Sequence, residues 1–82
     1  GDNNMNDKYG KFHFKIESLL EEKSISKNKL CKDMDILRPN LNKYCRDEVQ
    51  RFDSLFLSKL CHYFNCTIGD IMEYIPPEDD NN

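Results

Sequence analysis

Residues 26–44 read SKNKLCKDMDILRPNLNKY, and this stretch decides the fold. Ser26 is a favourable N-cap, because its hydroxyl accepts a hydrogen bond from a free amide at the start of a helix. The pattern that follows predicts a helix from Lys27 to about Met34, a tight turn at Asp35-Ile36, and another helix over about residues 38–45. Pro39 falls in the first turn of the second helix, where a missing amide hydrogen costs nothing.

The second of these helices has an apolar side and a polar side. Leu41 and Tyr44 lie three residues apart, a spacing that puts both on one face of a helix. We expect this face to turn toward the core. The side chains left on the outside can all donate hydrogen bonds: Arg38, Asn40, Asn42 and Lys43.

Helical spacing also occurs on both sides of this stretch. Upstream, an apolar pattern predicts a first helix over about residues 14–23. Downstream, an N-cap at Asp53 or Ser54 predicts a fourth helix to about Phe64. The residues expected to face inward in these two helices are Ile16, Leu19, Leu20, Leu57, Leu60, Cys61 and Phe64.

The last part of the chain predicts one more short helix. Thr67 and Asp70 have the spacing of a capping box, which opens a fifth helix through about Tyr74. Pro76-Pro77 then stops it. Two alternatives stay open for residues 12–14, which read Phe-His-Phe: a short strand paired with residues 73–75, or simple packing into the core.

Length and composition indicate one small domain. The chain has 82 residues and no internal repeat, and this is near the lower limit for unaided folding. We expect the domain to span residues 11–76, between a disordered segment at 1–10 and a disordered acidic tail at 77–82. There is no run of about 18 apolar residues and no visible secretory signal, so a soluble, cytoplasmic protein is expected.

The charge is distributed unevenly along the chain. The net charge is −3, but the window from Lys23 to Arg51 holds eight basic and four acidic residues, which leaves it at +4. A local positive field matters more to a polyanion than the overall sum does. A mixed-charge, solvated helix face would have the same composition, so charge alone leaves both interpretations open.

Four cysteines, at positions 31, 45, 61 and 66, raise the question of a disulfide or metal site. No Cys-x-x-Cys pair occurs, and a disulfide framework would require a secreted protein. Cys61, His62 and Cys66 form the one tight cluster, but adjacent helical residues point in different directions. We therefore expect free thiols, with no metal ion and no other cofactor.

Taken together, residues 26–44 resemble the helix-turn-helix of phage repressor/Cro-type (Xre-like) regulators. Leu30-Cys31 stands where that family has Leu-Ala, and Asp35-Ile36 fits its turn of a small residue and an aliphatic one. The likeness extends over about residues 12–77, and it is greatest to short stand-alone bacterial members that end in Glu-Tyr-Ile-Pro, as at Glu73–Pro76. The resemblance implies an all-α, compact five-helix, lambda-repressor-like domain.

Three positions depart from the family pattern. Asp35 and Asp47 stand where glycine usually ends a helix, and aspartate tolerates the left-handed conformation better than most residues. Leu37 replaces the usual Ser or Thr N-cap of the second motif helix, which loses a phosphate contact and a cap worth about 1 kcal/mol.

The resemblance implies a sequence-specific transcriptional regulator, a repressor, that binds a double-stranded DNA operator. In this family the second motif helix enters the major groove, where each base pair shows a distinct donor and acceptor pattern, while the first lies across the backbone. We expect base contacts from four residues of that recognition helix: Arg38, Pro39, Asn42 and Lys43. Phosphate contacts, which give affinity without sequence information, are expected from Lys27, Asn40, Arg46 and Arg51.

One such domain reads only a half-site, so a homodimer on DNA is expected. The fifth helix with its flanking apolar residues, or a strand edge near Phe12, would supply the contact. No small-molecule effector is evident.

Two other classes of function are alternatives to DNA binding. An enzyme needs a cluster of titratable groups, whereas His13 and His62 lie in different elements and no glycine-rich phosphate loop occurs. A protein-interaction module of the same fold, an antitoxin or adaptor with little DNA binding, stays open. The acidic net charge favours that alternative, while the +4 window and the donor face favour DNA.

Overall fold

The computed structural model describes residues 8–78. Between Lys11 and Ile75 the chain forms β1 (Lys11–Phe14), α1 (Ile16–Lys23), α2 (Lys27–Met34), α3 (Arg38–Cys45), α4 (Ser54–Phe64), α5 (Ile68–Ile71) and β2 (Met72–Ile75). This is the five-helix architecture that the sequence predicts. The disorder expected at residues 1–7 and 79–82 concerns positions outside the described residues.

Short side chains start and end the first helix of the central motif. The Ser26 hydroxyl accepts the Lys29 amide at 3.0 Å and begins α2. Asp35 ends it in the left-handed conformation, with φ of 57°, and the Ile36 amide then donates to the Cys31 carbonyl at 3.0 Å. The predicted cap and turn are both confirmed.

The end of the domain differs from the prediction. The capping box at the start of α5 is present, with the Thr67 amide donating to the Asp70 carboxylate at 3.2 Å. However, α5 ends at Ile71, and the predicted continuation to Tyr74 is wrong. Residues 72–75 instead form β2, which pairs with β1 in antiparallel register.

The physical reason for this difference is a partner that lies far away in the sequence. Phe12 faces Tyr74 across the two strands, and their ring centroids are 5.7 Å apart. Cross-strand aromatic pairs stabilise antiparallel strands, and a short apolar run has no helical preference strong enough to resist them. The strand pairing of residues 12–14 is therefore the alternative that the structure supports, and Phe14 is also buried.

The core lies between α1, α2, α3, α4 and the inner face of the sheet. Its fully buried members include Leu30 of α2, Leu41 of α3 and Leu60 of α4, each with 0% exposure. Among residues 8–78, the buried side chains of the core are Phe14, Ile16, Leu20, Leu30, Met34, Leu41, Tyr44, Phe56, Leu60, Phe64 and Ile71.

An aromatic cluster fixes α3 against the rest of the domain. The Tyr44 ring stacks on Phe56 with centroids 4.1 Å apart and meets the edge of Phe14 at 5.2 Å. The Tyr44 hydroxyl also accepts the amide of Asp53, the N-cap of α4, at 3.0 Å. Such aromatic pairs contribute about 0.5–1.5 kcal/mol each beyond their buried area. The orientation of α3 is therefore set from its inner side.

Candidate nucleic-acid interface

The inner face of α3 packs into the core, and its outer face is exposed to solvent. Leu41 and Tyr44 are 0% and 2% exposed. Since successive helical residues are rotated by about 100°, positions 39, 42 and 43 fall on the side opposite these two, and position 38 lies at the margin of that side. Asn40 lies nearer the buried side.

The structure brings the four residues predicted to contact bases together on this outer face. Arg38, Pro39 and Lys43 are exposed, and Asn42 is half-buried. Pro39 lies in the first turn of α3, as predicted. The interface can therefore present a guanidinium, an ammonium and an amide along one face of one helix.

Arg38 is held by a residue that the sequence analysis did not identify. Its Nη1 donates a hydrogen bond to Oδ1 of Asn28, which lies in the first turn of α2. A guanidinium has five N–H donors in a fixed plane, so most of them remain available to a ligand. The two motif helices are thus joined at their N-terminal ends by side chains on the exposed surface.

The residues predicted to contact phosphates do not form one group. Asn40, Arg46 and Arg51 are exposed, the last two around the loop that follows α3. The Lys27 ammonium instead lies 2.6 Å from the Glu17 carboxylate of α1, and its side chain is only 27% exposed. A partly exposed ion pair of this kind is worth at most about 1 kcal/mol, so a phosphate can compete for Lys27.

Asp47 closes the C-terminal end of α3. It has φ of 59°, the left-handed conformation in which glycine is most common. Its Oδ1 accepts the main-chain amide of Phe14 at 2.8 Å, and its Oδ2 lies 2.7 Å from Nδ1 of His13. The departure from glycine therefore introduces a carboxylate that attaches β1 to the end of α3.

A second acidic residue of the +4 window is also engaged with neighbours. Asp33 accepts hydrogen bonds from Tyr63 Oη of α4 at 2.6 Å and from Lys29 Nζ at 3.0 Å. The Tyr63 hydroxyl and then the Lys29 ammonium hold the pKa of Asp33 below its ordinary value. The same bonds to Asp33 raise the pKa values of Tyr63 and Lys29. Asp33 and Asp47 are thus each held by hydrogen bonds to another element, α4 and β1 respectively.

The cysteines are free and half-buried. Burial raises the pKa values of the Cys45 and Cys66 thiols, which keeps them protonated and poor nucleophiles. Within residues 8–78, no group of three or more His, Cys, Asp or Glu side chains is arranged to hold a metal ion. In the same part of the chain, no helix is long and apolar enough to cross a membrane.

The two helices α2 and α3, the tight turn between them and the exposed outer face of α3 define a helix-turn-helix domain. Residues 15–77 match the family model of the Cro/C1-type helix-turn-helix DNA-binding domain. The match covers most of the chain, and the chain therefore belongs to that family. The class of protein expected from residues 26–44 is confirmed.

Two solved structures have a similar fold. The transcriptional regulator VanUg, in its crystal form II, has a TM-score of 0.71 and 24% sequence identity, with 92% of this chain and 99% of that chain covered. A protein from Bacteroides fragilis to which DNA binding is attributed has a TM-score of 0.64 and 18% identity, with 76% of this chain and 98% of that chain covered. At these identities the likeness concerns the fold. Among curated protein sequences, none is significantly similar to this chain.

Proposed function

We propose that the protein is a sequence-specific transcriptional regulator, acting as a repressor, that inserts α3 into the major groove of a double-stranded operator. The observation that carries this proposal is the division of α3: Leu41 and Tyr44 are buried, while Arg38, Pro39 and Lys43 are exposed together. An α-helix fits the major groove, and only there are all four base pairs distinguishable. The repressor action follows from occupation of the operator, which excludes other proteins from the same DNA.

Base recognition is assigned to the outer face of α3. The Arg38 guanidinium donates two hydrogen bonds to a guanine, one to O6 and one to N7, a contact worth about 1–3 kcal/mol of discrimination. Lys43 donates to guanine acceptors one turn further along the groove, and Asn42 pairs with an adenine. Pro39 contacts an apolar base edge. Asn28 is a positioning residue, because it holds the Arg38 side chain from α2.

Phosphate contacts are assigned to residues around this face. Asn40, Arg46 and Arg51 are exposed and extend beyond the base-reading residues. Lys27 joins them by exchanging the Glu17 carboxylate for a phosphate oxygen. These contacts make affinity depend on salt, because each neutralised phosphate releases bound counterions.

We further propose that two copies bind a pseudo-palindrome, with half-sites about 34 Å apart. The surface that supports self-association is a shallow groove between α4 and α5, whose lining includes the exposed Ile68 (45%); the exposed Leu55 (62%) follows the lining residue Ser54 in α4. None of the described residues that line this groove is Asp, Glu, Lys or Arg: they are Ser54, Leu57, Ser58, Cys61, His62 and Ile68. A symmetric contact brings like residues near each other, which an uncharged surface tolerates best.

A protein of this function acts where the chromosome is, so we propose a cytoplasmic, nucleoid-associated location. The direct test is selection of bound sequences from a random duplex pool with the full-length chain, followed by affinity measurements at several salt concentrations. The expected result is a two-fold symmetric site whose affinity falls linearly with salt on a logarithmic scale.

Variants separate the two kinds of contact in this test. Arg38→Ala is expected to relax the preference at one base pair of each half-site, whereas Arg51→Ala should weaken all duplexes alike. Absence of any salt-dependent binding to duplex DNA would overturn the proposal in favour of an antitoxin or adaptor module of the same fold.

A further inference from the structure

Leu37 is the most exposed of the large hydrophobic residues that are exposed within residues 8–78, at 76%. It occupies the N-cap of α3 in an extended conformation, with φ of −83° and ψ of 140°, and its side chain makes no cap hydrogen bond. Main-chain hydrogen bonds alone begin the helix, because the Leu37 carbonyl accepts the amides of Asn40 and Leu41 at 3.1 and 3.2 Å. The isobutyl group is therefore left in water at the leading end of the recognition helix.

The surroundings of Leu37 combine apolar groups with charged ones, the base Lys43 and the acid Asp35. A shallow concavity at this end of α3 is lined by Asp35, Ile36, Leu37, Pro39, Asn40 and Lys43. Leu37 and Pro39 are exposed apolar members of this lining and Lys43 is its base, while the exposed Arg38 lies between Leu37 and Pro39 in sequence. This arrangement suits a ligand that has an apolar group close to negative charge.

The major groove of DNA has one such apolar group, the C5-methyl of a pyrimidine, which lies between the two phosphate backbones. We propose that Leu37 is a specificity-determining residue that packs on the C5-methyl group of a thymine in each half-site. The proposal rests on the proposed function, because it requires α3 to enter the major groove. It assigns a base contact to a position where the family ordinarily has a hydroxyl that faces a phosphate.

Replacement of thymine by deoxyuridine is a sharp probe of this contact. The substitution removes only the methyl group and leaves base pairing and the O4 acceptor in place. The site is first selected from a random pool, and each thymine of one half-site is then replaced in turn. For the unmodified protein, one of these replacements is expected to weaken binding about fourfold, the value of one buried methylene-sized group.

The contact is then assigned to Leu37 by a double-mutant cycle. In Leu37→Ala the thymine-to-deoxyuridine effect is expected to fall to less than about 1.5-fold at the same position. The control is Tyr9→Ala, which removes another large exposed side chain (66%) outside the helix-turn-helix and should keep the fourfold effect. Pro39→Ala tests whether the neighbouring apolar residue, and not Leu37, contacts the thymine methyl group.

A second variant separates recognition from folding. Leu37→Ser restores an N-cap hydroxyl and is expected to raise the thermal midpoint, since serine caps a helix where leucine does not. The same variant should lose the deoxyuridine effect. A variant that is more stable yet insensitive to the methyl group cannot be explained by damage to the fold.

The outcomes distinguish this inference from the proposed function. If the protein selects no duplex at all, both fail. If it binds a selected site but no thymine-to-deoxyuridine change matters, or the effect persists in Leu37→Ala, only the Leu37 inference fails. 5-Methylcytosine has the same methyl group, so a second series of operators carries a methyl group on each selected cytosine in turn. If only cytosine methylation changes the affinity, the ligand of Leu37 is not thymine and the inference is overturned.

Discussion

The main-chain amide of Phe14 donates to Oδ1 of Asp47 at 2.8 Å, across 33 positions of sequence. Phe14 is the last residue of β1, and Asp47 follows α3 in the left-handed conformation. The second oxygen of the same carboxylate lies 2.7 Å from His13 Nδ1. One side chain thus connects the sheet to the C-terminal end of α3.

We predict that Asp47→Ala lowers the free energy of unfolding by about 1–3 kcal/mol, because the partly buried amide of Phe14 loses its acceptor and alanine is strained at positive φ. Asp47→Asn is the matched control, since asparagine tolerates this conformation and keeps an oxygen acceptor. The loss of unfolding free energy should be smaller in Asp47→Asn than in Asp47→Ala. Denaturant titration followed by circular dichroism measures both, and equal stability of the two variants would contradict this explanation.

Asn28 is predicted to tune the affinity of Arg38 for its base. Asn28→Ala removes the acceptor that holds Nη1 of Arg38. DNA affinity is expected to fall about twofold to tenfold, the range of one net hydrogen bond. Fluorescence anisotropy on the selected operator measures this fall. In the background of Arg38→Ala the same change should have no effect, and an undiminished fall there would show that Asn28 acts on DNA directly.

Capping and turn residues in the sequence predict the bounds of most of the helices. The predicted helices at residues 27–34 and 38–45 have the same bounds in the structure, because each has a start or stop signal of its own: the Ser26 cap, the Asp35 turn and Pro39. The inward residues of α3 follow from a three-residue spacing. Phe56, in contrast, is buried although the sequence analysis did not select it.

The features that the sequence did not reveal depend on distant partners. Residues 72–75 have apolar spacing that fits a helix, and only pairing with β1 makes them a strand. Likewise, the Asn28–Arg38 and Tyr63–Asp33 bonds join different helices. No local pattern gives the relative placement of two helices, so the positioning residues of the interface required the structure.

The Tyr63–Asp33 bond is predicted to make stability depend on pH at both extremes. Asp33 has a lowered pKa, so its stabilising effect is present above the ordinary value of 3.8 and is lost as pH falls through the folded value. Tyr63 has a raised pKa, so its effect is present below the ordinary value of 10.0 and is lost as pH rises further.

The test compares the thermal midpoints of the original protein and Tyr63→Phe across pH. The original protein should be the more stable near pH 7, and the two midpoints should converge as the pH falls through the lowered pKa of Asp33 and as it rises through the raised pKa of Tyr63. Tyr9→Phe is the control, because the Tyr9 ring is exposed and lies in a separate part of the domain. A difference that stays constant from acid to base would show that the bond to Asp33 does not stabilise the fold.

The groove between α4 and α5 is predicted to hold the two copies together on DNA. Leu55→Glu places a carboxylate beside this uncharged groove, and in a symmetric contact the two new charges would repel each other across the interface. We expect the variant to remain folded, since Leu55 is 62% exposed, and to bind an isolated half-site with unchanged affinity. Its affinity for the full pseudo-palindrome should fall at least tenfold, because paired binding supplies a large effective concentration.

Tyr74→Glu provides the comparison at the other exposed apolar surface, next to Phe12. If sedimentation on the operator shows that Tyr74→Glu alone disrupts the pair, the sheet and not the groove forms the contact.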